Sequence, residues 1–269
     1  MPGLLVVGAQ KAGTSWVHEN LAKHPKIWVP PFKELHFFDH KFIPENRRWT
    51  SGHVERGVNK AIKSHLKSSH PTADQLNYLR RIVRRPMFNR QWYRTVFSQC
   101  PDSHVGLDVT PEYCCVPPKG LEFIDALLPD ARFIYLIRHP VERAVSQIKM
   151  NATRRKNHLG TVDDWMRYAQ HSVIAHRGDY ARYIPQWDAQ FSSDRLLYLS
   201  FADIPKNPLR VIRMIERFAG LSASLYPALN MPVHASASID VPTEVLQYLE
   251  KLLEAQIAFL IERFGSDFL

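Results

Sequence analysis

The chain has 269 residues, 45% of them hydrophobic and 23% charged, which excludes a disordered or fibrous protein and permits a substantial core without metal or disulfide support. Its formal net charge of +9 predicts an anionic partner. No apolar stretch approaches the roughly 20 residues that cross a bilayer, and no secretory signal is recognisable at the N-terminus, so the expected location is cytoplasmic.

Four short apolar runs predict buried strands, each followed by a turn or a helical pattern: Leu4–Val7, Val105–Val109, Phe133–Ile137 and Leu196–Phe201. Helical patterns predict six helices: Thr14–Lys23, Gly120–Leu128, Val141–Ala152, Tyr180–Phe191, Pro208–Ala219 and Pro242–Phe264. Strands that alternate with helices are typical of an α/β fold with a central parallel β-sheet flanked by helices. We expect one domain over residues 1–269, because no repeat or low-complexity linker interrupts the pattern.

Residues from about 41 to 103 are predicted to form a basic, mostly helical insertion between the first two strands. From Arg56 to Arg94 there are ten Lys and Arg side chains and one acid, Asp74, so this stretch carries a charge of +9 and the rest of the chain is close to neutral. The concentration of charge indicates nucleic acid, anionic lipid or an acidic substrate as the partner. A solvated basic surface without a partner is the alternative.

The loop after the first predicted strand carries features of a phosphate site. Residues 8–15 read GAQKAGTS, and a helix is predicted to begin at Thr14. Backbone N–H groups at a helix N-terminus bind phosphate, and Gly13 lets the backbone approach the anion closely. A P-loop NTPase has its lysine directly after the second glycine, whereas Lys11 lies two residues before Gly13. The spacing therefore predicts a nucleotide-phosphate loop and argues against hydrolysis of nucleoside triphosphates.

A second string spans the third predicted strand and the start of the helix after it. Residues 132–146 read RFIYLIRHPVERAVS. Arg138 ends the strand and offers a forked cationic donor, and Ser146 lies about two turns into the next helix. The two side chains are therefore expected to converge on one phosphate.

In this order the two strings resemble the phosphate-binding motifs of sulfotransferases that use PAPS (3'-phosphoadenosine-5'-phosphosulfate). The resemblance implies a P-loop-like α/β domain that moves a sulfuryl group from PAPS to an acceptor hydroxyl, releases 3',5'-ADP and requires no metal. It assigns the 5'-phosphosulfate to the loop and the 3'-phosphate to Arg138 and Ser146. The donor-binding residues that it implies are Lys11, Ala12, Gly13, Thr14, Ser15, Trp16, Arg138 and Ser146.

Residues 33–39, which read KELHFFD, indicate the subfamily. An extended segment would place Glu34 and His36 on one side and Asp39 on the other, so that a carboxylate and an imidazole form a proton-handling pair. The string resembles the Glu-x-His-Phe-Phe-Asp motif of heparan-sulfate-type carbohydrate sulfotransferases. This resemblance implies that Glu34 is the catalytic base with His36 in support, that Lys11 neutralises the leaving group, and that the acceptor is a saccharide or glycoconjugate. An ordinary surface pair is the alternative for Glu34 and His36.

Two positions depart from that subfamily. Its members usually carry lysine before a Thr-Pro-x-Tyr turn, and this chain has Val109 before the matching residues 110–113. The second cation facing the sulfonate is therefore missing or is supplied by another residue such as Lys33. The subfamily's disulfide-tethered loop near the C-terminus is absent too, and Met231–Ser238 is expected to close over the donor in its place.

Three other functions remain open at this stage. The same chemistry on a hydroxylated natural product or a lipid needs no change to the donor motifs. A P-loop kinase or NTPase needs a strand-end carboxylate for magnesium, for which Asp108 is available. A nucleic-acid-binding protein would use the segment from Arg56 to Arg94, which has aromatic residues but no recognised nucleic-acid motif. We expect no nucleic-acid partner and no membrane span.

Overall fold

A computed structural model describes residues 1–227, 229 and 239–269. The tract at residues 231–238, predicted to close over the donor, lies outside the described residues. Within the described part of the chain five parallel strands form one sheet in the order β2-β3-β1-β4-β5. The strands are β1 (Leu4–Gly8), β2 (Ile27–Trp28), β3 (Val105–Val109), β4 (Arg132–Ile137) and β5 (Leu196–Ser200). The predicted α/β fold with a central parallel sheet is confirmed.

Helices connect the strands and flank the sheet. They are α1 (Thr14–Leu21), α2 (Phe37–Phe42), α3 (Arg47–Leu66), α4 (Ala73–Ile82), α5 (Arg90–Val96), α6 (Pro118–Leu127), α7 (Pro140–Arg154), α8 (Val162–Ala169), α9 (Val173–His176), α10 (Tyr180–Gln190), α11 (Asp203–Lys206), α12 (Pro208–Phe218) and α13 (Thr243–Phe264). Short 3-10 helices cover Pro44–Asn46, Pro111–Cys115 and Ser266–Phe268. All six predicted helices are present within two residues of their predicted ends. No described helix is long and apolar enough to cross a membrane.

The basic segment contains helices, as predicted, but its place in the topology differs. The two-residue strand β2, which was not predicted, pairs with β3 and lies before the segment. The helices α3, α4 and α5 therefore connect β2 with β3, and not β1 with β3. A pair of residues is too short to produce the alternation by which strands are predicted. Residues Val54, Val58, Tyr78 and Trp92 of this segment are buried in the same apolar cluster as the sheet.

Apolar side chains form two clusters. The larger one surrounds the sheet, and every residue of β1 is buried in it or beside it. The smaller one lies among α7, α8 and α13, where Ile148, Trp165 and Leu249 are buried. This second cluster fixes α7, the helix that follows β4, against the C-terminal helix.

The topology creates a crevice at the carboxyl ends of the central strands. The chain leaves β1 for β2 and β3 on one side, and after β3 it crosses to β4 on the other side of β1. In open α/β sheets such a change of direction is the usual place for a ligand. The loop after β1 with the start of α1, the turn after β3 and the end of β4 all lie at this edge, and the first and last of these contain most of the predicted donor-binding residues.

Candidate active site

The loop after β1 has the backbone of an anion-binding loop. Gly13 precedes α1 with φ 93°, in the left-handed region that favours glycine, and no described side chain caps this end of the helix. A Cβ at position 13 would lie 2.8 Å from Ile204 Cδ1 and 3.0 Å from Phe201 Cδ2. The N–H groups of the first turn have no partners inside the helix. They are therefore available to an anion at this point.

Lys11 lies in a cluster of cations. Burial and the positive charges of Arg154, Arg138 and Lys33 lower the pKa of Lys11, and the charge of Glu34 opposes them. Arg138 Nη1 also donates a hydrogen bond to the carbonyl oxygen of Lys11 over 3.2 Å, which ties the loop to the end of β4. Cations held this close together repel one another, and an anion bound among them removes that repulsion. The arrangement is suited to a polyanion.

Lys33 connects this loop with the predicted base. Its ammonium group donates a hydrogen bond to Ser15 Oγ over 2.8 Å and lies 3.9 Å from Glu34 Oε1. Burial lowers the pKa of Lys33, although the nearby carboxylates, Glu34 foremost, oppose the shift. Val109, at the position where the subfamily carries its second lysine, is buried in β3. Lys33, which the sequence named as a possible replacement for that lysine, therefore lies between the loop and Glu34.

Glu34, His36 and Asp39 form a row of charged groups. His36 Nδ1 lies 3.0 Å from Asp39 Oδ2, and His36 Nε2 lies 3.6 Å from Glu34 Oε2. The segment is not extended, because Glu34 and His36 have φ values of 66° and 53° and α2 begins at Phe37. The predicted alternation is therefore wrong. An alternating strand would place Asp39 on the opposite side from His36. In the structure the left-handed backbone at Glu34 and His36 brings the carboxylates of Glu34 and Asp39 next to the His36 imidazole.

The Thr-Pro-x-Tyr turn after β3 holds this segment in place. Thr110 Oγ1 accepts a hydrogen bond from the N–H of Leu35 over 3.0 Å, and the Tyr113 hydroxyl accepts one from the N–H of Phe37 over 3.1 Å. Both hydroxyls in turn donate to Asp108, over 2.8 Å and 3.0 Å. Buried hydrogen bonds to a carboxylate are among the stronger ones in proteins. Two motifs about 75 residues apart in sequence therefore form one unit.

Asp108 is unavailable to a magnesium ion. Its side chain is fully buried and accepts hydrogen bonds from the hydroxyls of Tyr93, Thr110 and Tyr113. Burial raises the pKa of Asp108 to about 6, and these hydrogen bonds only partly oppose the shift. A kinase or NTPase needs a strand-end carboxylate that faces the nucleotide. The residue available for that role faces the core instead.

The charges of Glu34 and His36 stabilise one another. Burial alone raises the pKa of Glu34, but the neighbouring His36 ring and the charge of Lys33 outweigh it and lower the pKa to about 2. Burial lowers the pKa of His36, but its hydrogen bond with Asp39 and the neighbouring Glu34 carboxylate outweigh it and raise the pKa to about 10. At neutral pH Glu34 is therefore a carboxylate that accepts protons, and His36 is an imidazolium that does not.

Arg138 and Ser146 lie in one cavity, as the spacing predicts. The cavity has a volume of about 260 Å³ and is also lined by Glu142 and Lys149. The Arg138 guanidinium stacks on the Phe201 ring, 4.3 Å from its centre, and Nε lies 3.1 Å from Glu142 Oε2. The stacking holds the plane of the guanidinium, so that an incoming anion competes with Glu142 for a donor that is already in position.

The other predicted donor-binding residues differ in whether their side chains are buried or form polar contacts. Ala12 is fully buried, and Trp16 is buried with its indole N–H donating to the carbonyl oxygen of Leu229 over 3.0 Å. These two residues present only their backbone to the crevice. Thr14 is buried at the start of α1, and the Ser15 hydroxyl meets Lys33.

Sequence reasoning missed Trp49 and His53, which α3 brings to the predicted base. The Trp49 ring packs edge-on against His36 with a centroid distance of 4.6 Å, and the His53 ring does so at 4.8 Å. His53 Nε2 also lies 3.1 Å from the carbonyl oxygen of Lys33. The two residues are four apart and share one face of the helix. The spacing is visible in the sequence, but nothing there indicates which segment that face contacts.

Sequence comparisons find relatives among curated sulfotransferases. Heparan sulfate glucosamine 3-O-sulfotransferase 6 of Homo sapiens is 23% identical over 82% of this chain and 52% of its own length. Bifunctional heparan sulfate N-deacetylase/N-sulfotransferase 2 of Bos taurus is 24% identical over 84% of this chain and 22% of its own length. The chain thus spans about half the length, or less, of these curated relatives.

Solved structures show the same fold. A sulfotransferase from Alicyclobacillus acidocaldarius superposes with a TM-score of 0.68 at 21% identity, over 100% of this chain and 98% of its own. The sulfotransferase domain of the Synechococcus PCC 7002 olefin synthase superposes with a TM-score of 0.61 at 19% identity, over 95% and 94%. A sequence model described as the sulfotransferase family matches residues 2–224. The predicted family is confirmed: this chain belongs to the sulfotransferase family.

Proposed function

We propose that this protein transfers a sulfuryl group from PAPS to an acceptor hydroxyl, as the sequence predicted. The observation that carries the proposal is the position of the Lys33 ammonium, 2.8 Å from Ser15 in the first turn of α1 and 3.9 Å from the Glu34 carboxylate. One cation thus lies between the proposed site for the donor's anion and the proposed base. Such a transfer requires these two functions to lie next to each other.

On the donor side, the residues fit a nucleotide with phosphates at both ends of its ribose. The α1 N-terminus and Lys11 would bind the 5'-phosphosulfate, and Arg138 with Ser146 would bind the 3'-phosphate in the cavity beside α7. The hydrogen bond from Arg138 to the Lys11 carbonyl oxygen would hold the two sites at a constant separation. A single molecule that carries both anions would therefore bind more tightly than either anion alone.

The transfer is an in-line displacement at sulfur. The acceptor oxygen forms a bond to sulfur, the bond from sulfur to the bridging oxygen breaks, and 3',5'-ADP leaves with that electron pair. Lys11 and Lys33 neutralise the charge that grows on the leaving phosphate, and Glu34 takes the hydroxyl proton. A hydroxyl oxygen becomes strongly acidic as it bonds to sulfur, so a carboxylate with a low pKa suffices as its base. The donor is already activated, and we propose that no metal is required.

The remaining charges favour an anionic saccharide as the acceptor. The exposed Arg80, Arg81, Arg84 and Arg85 lie in or next to α4, in the segment whose helix α3 also contacts His36. The relatives reported above are named for heparan sulfate, an anionic polysaccharide. Exposed basic residues attract such a chain over distances near the Debye length, roughly 8–10 Å. We further propose that residues 41–103, as part of a single domain, serve acceptor binding.

The test is a titration with 3',5'-ADP followed by transfer from radiolabelled PAPS to a panel of acceptors. We expect calorimetric binding of 3',5'-ADP without magnesium, and labelled product from sulfated or carboxylated oligosaccharides in the presence of a chelator. Label transferred only to uncharged hydroxylated natural products or lipids would replace the proposed acceptor while leaving the reaction intact. Absence of 3',5'-ADP binding would refute the proposed reaction.

A further inference from the structure

The groups around the predicted base also have the composition of a metal site. Glu34, His36 and His53 each present a ligand atom, and these three atoms lie within 4.8 Å of one another. His36 Nε2 is fully buried and has no hydrogen-bond partner among the described residues. We propose that Glu34, His36 and His53 bind a zinc ion, and that its binding inhibits transfer by occupying the base. The inhibitory part rests on the proposed function, whereas the binding part does not.

Hydrogen bonds already orient both imidazoles as they are oriented in metal sites. His36 Nδ1 is engaged by Asp39 Oδ2 at 3.0 Å, which leaves Nε2 as the ligand atom, and the imidazolium releases its Nε2 proton to solvent when a metal ion binds there. His53 Nε2 is engaged by the Lys33 carbonyl oxygen at 3.1 Å, which leaves Nδ1. Metal-binding histidines almost always donate their other N–H group to a carboxylate or a carbonyl oxygen. Asn46 in turn donates to Asp39 over 2.8 Å, so the carboxylate that orients His36 is itself held.

The distances suit zinc after a small movement of one side chain. Two ligands about 2.0–2.1 Å from a tetrahedral zinc ion lie about 3.4 Å apart. Glu34 Oε2 and His36 Nε2 are 3.6 Å apart, close to this value. The three ligand atoms lie within 4.8 Å of one another, so a rotation of the half-buried His53 side chain has to close the remaining gap. The Lys33 ammonium faces Glu34 Oε1, so the oxygen toward His36 stays available.

The donor set favours zinc over the commoner hard cations. Imidazole is a good ligand for zinc and a poor one for magnesium and calcium, which prefer sets made of oxygen atoms. Two histidines, one carboxylate and an open fourth position form the donor set of several catalytic zinc sites. With a cation on its Oε2 atom, Glu34 no longer accepts the proton of the acceptor hydroxyl.

The binding is tested with Co²⁺ as a spectroscopic substitute for Zn²⁺, on the metal-stripped full chain without donor or acceptor. We expect one equivalent of Co²⁺ to produce the visible absorption of a tetrahedral or five-coordinate site, and Zn²⁺ to remove it. His53→Gln should weaken Co²⁺ binding at least tenfold, whereas His53→Cys should keep it and add a thiolate charge-transfer band. His70→Ala, at an exposed histidine elsewhere in the same segment, is the matched control and should bind as the unmodified protein does.

Unaltered Co²⁺ affinity in His53→Gln, or no visible band in the unmodified protein, would overturn the site. Inhibition is measured separately, as the Zn²⁺ concentration that halves transfer, and we expect this concentration to rise at least tenfold in His53→Gln. Equal sensitivity of the two proteins to Zn²⁺ would overturn the inhibitory role. Because the spectral titration uses neither PAPS nor acceptor, a failure of the proposed reaction leaves its result unchanged.

Discussion

Replacing Glu34 by glutamine tests the chemical step directly. The substitution keeps the shape of the side chain and removes its capacity to accept a proton. General base catalysis contributes about 10²- to 10⁴-fold, and a base with a lower pKa contributes less of it. Since the pKa of Glu34 is lowered to about 2, from an ordinary 4.5, we expect the loss in kcat to be about 10²- to 10³-fold. The affinity for 3',5'-ADP should remain unchanged, because Lys11 and Arg138 are untouched.

The pH profile separates the roles of Glu34 and His36. In the unmodified protein the ionisation of Glu34 lies near pH 2, below the range of an ordinary assay, so the rate should not rise with pH through this group between about pH 5 and pH 8. In His36→Gln the imidazolium is lost, so the pKa of Glu34 should rise from its lowered value, with burial raising it and Lys33 opposing the rise. The rising limb should therefore shift upward toward that range, with a smaller loss of kcat at its plateau than in Glu34→Gln.

The assay is steady-state transfer from radiolabelled PAPS, with 3',5'-ADP binding measured on each variant to confirm that it is folded. Glu55→Gln is the matched control, because Glu55 is a carboxylate in α3 that pairs with the exposed Arg85 over 3.0 Å, and it should retain full kcat. If His36→Gln loses more activity than Glu34→Gln at every pH, His36 is the base. If neither variant changes kcat, the Glu34–Asp39 segment serves only the structure.

Three further variants test the donor and acceptor sites. Lys11→Ala should abolish transfer in the PAPS assay, because the contact strengthens as charge builds on the leaving group; measurable kcat in this variant would contradict that role. Arg138→Ala should weaken 3',5'-ADP binding by about 1.5–3 kcal/mol, or roughly 10- to 150-fold by calorimetry, and an unchanged affinity would refute the 3'-phosphate assignment. The third variant neutralises Arg80, Arg81, Arg84 and Arg85 together. It should raise the acceptor KM and flatten the salt dependence of KM without changing the affinity for the donor. Unchanged acceptor kinetics would show that these residues form only a solvated surface.

The strands and the phosphate loop were predictable because their signals are local. β3 has its predicted bounds, and β1, β4 and β5 differ from theirs by one residue at one end. Each strand is an apolar run that ends in a turn, and such a run is what the sequence of a strand buried on both faces of a parallel sheet looks like. Gly13 has the left-handed φ that a close approach of the backbone to an anion favours. The position of Lys11 relative to Gly13 distinguishes the loop from that of an NTPase in the sequence alone.

The conformation of residues 34–39 was not predictable, since distant residues determine it. Neither Glu34 nor His36 favours a left-handed φ by itself, and such residues cost about 1–3 kcal/mol each unless the surroundings compensate. The compensation comes from Thr110 and Tyr113, whose hydroxyls accept hydrogen bonds from the N–H groups of Leu35 and Phe37. For the same reason the sequence could not show which residue, if any, replaces the lysine that is missing at Val109. The contact of Lys33 with Ser15 joins two segments of the fold, and neither segment alone predicts it.

The donor contacts and the residues beside the predicted base come from different elements of the fold, which suggests how acceptor preference can change while the chemistry stays constant. The proposed donor contacts come from the loop after β1 and from the end of β4 and α7, all of which are anchored in the sheet or the second apolar cluster. The aromatic residues that pack against His36, beside Glu34, come instead from α3, in the segment between β2 and β3. Substitutions there alter what approaches the base without moving Lys11 or Arg138. Acceptor specificity in this protein should therefore depend on residues 41–103, and exchanging this segment for another should change the acceptor while the affinity for 3',5'-ADP stays the same.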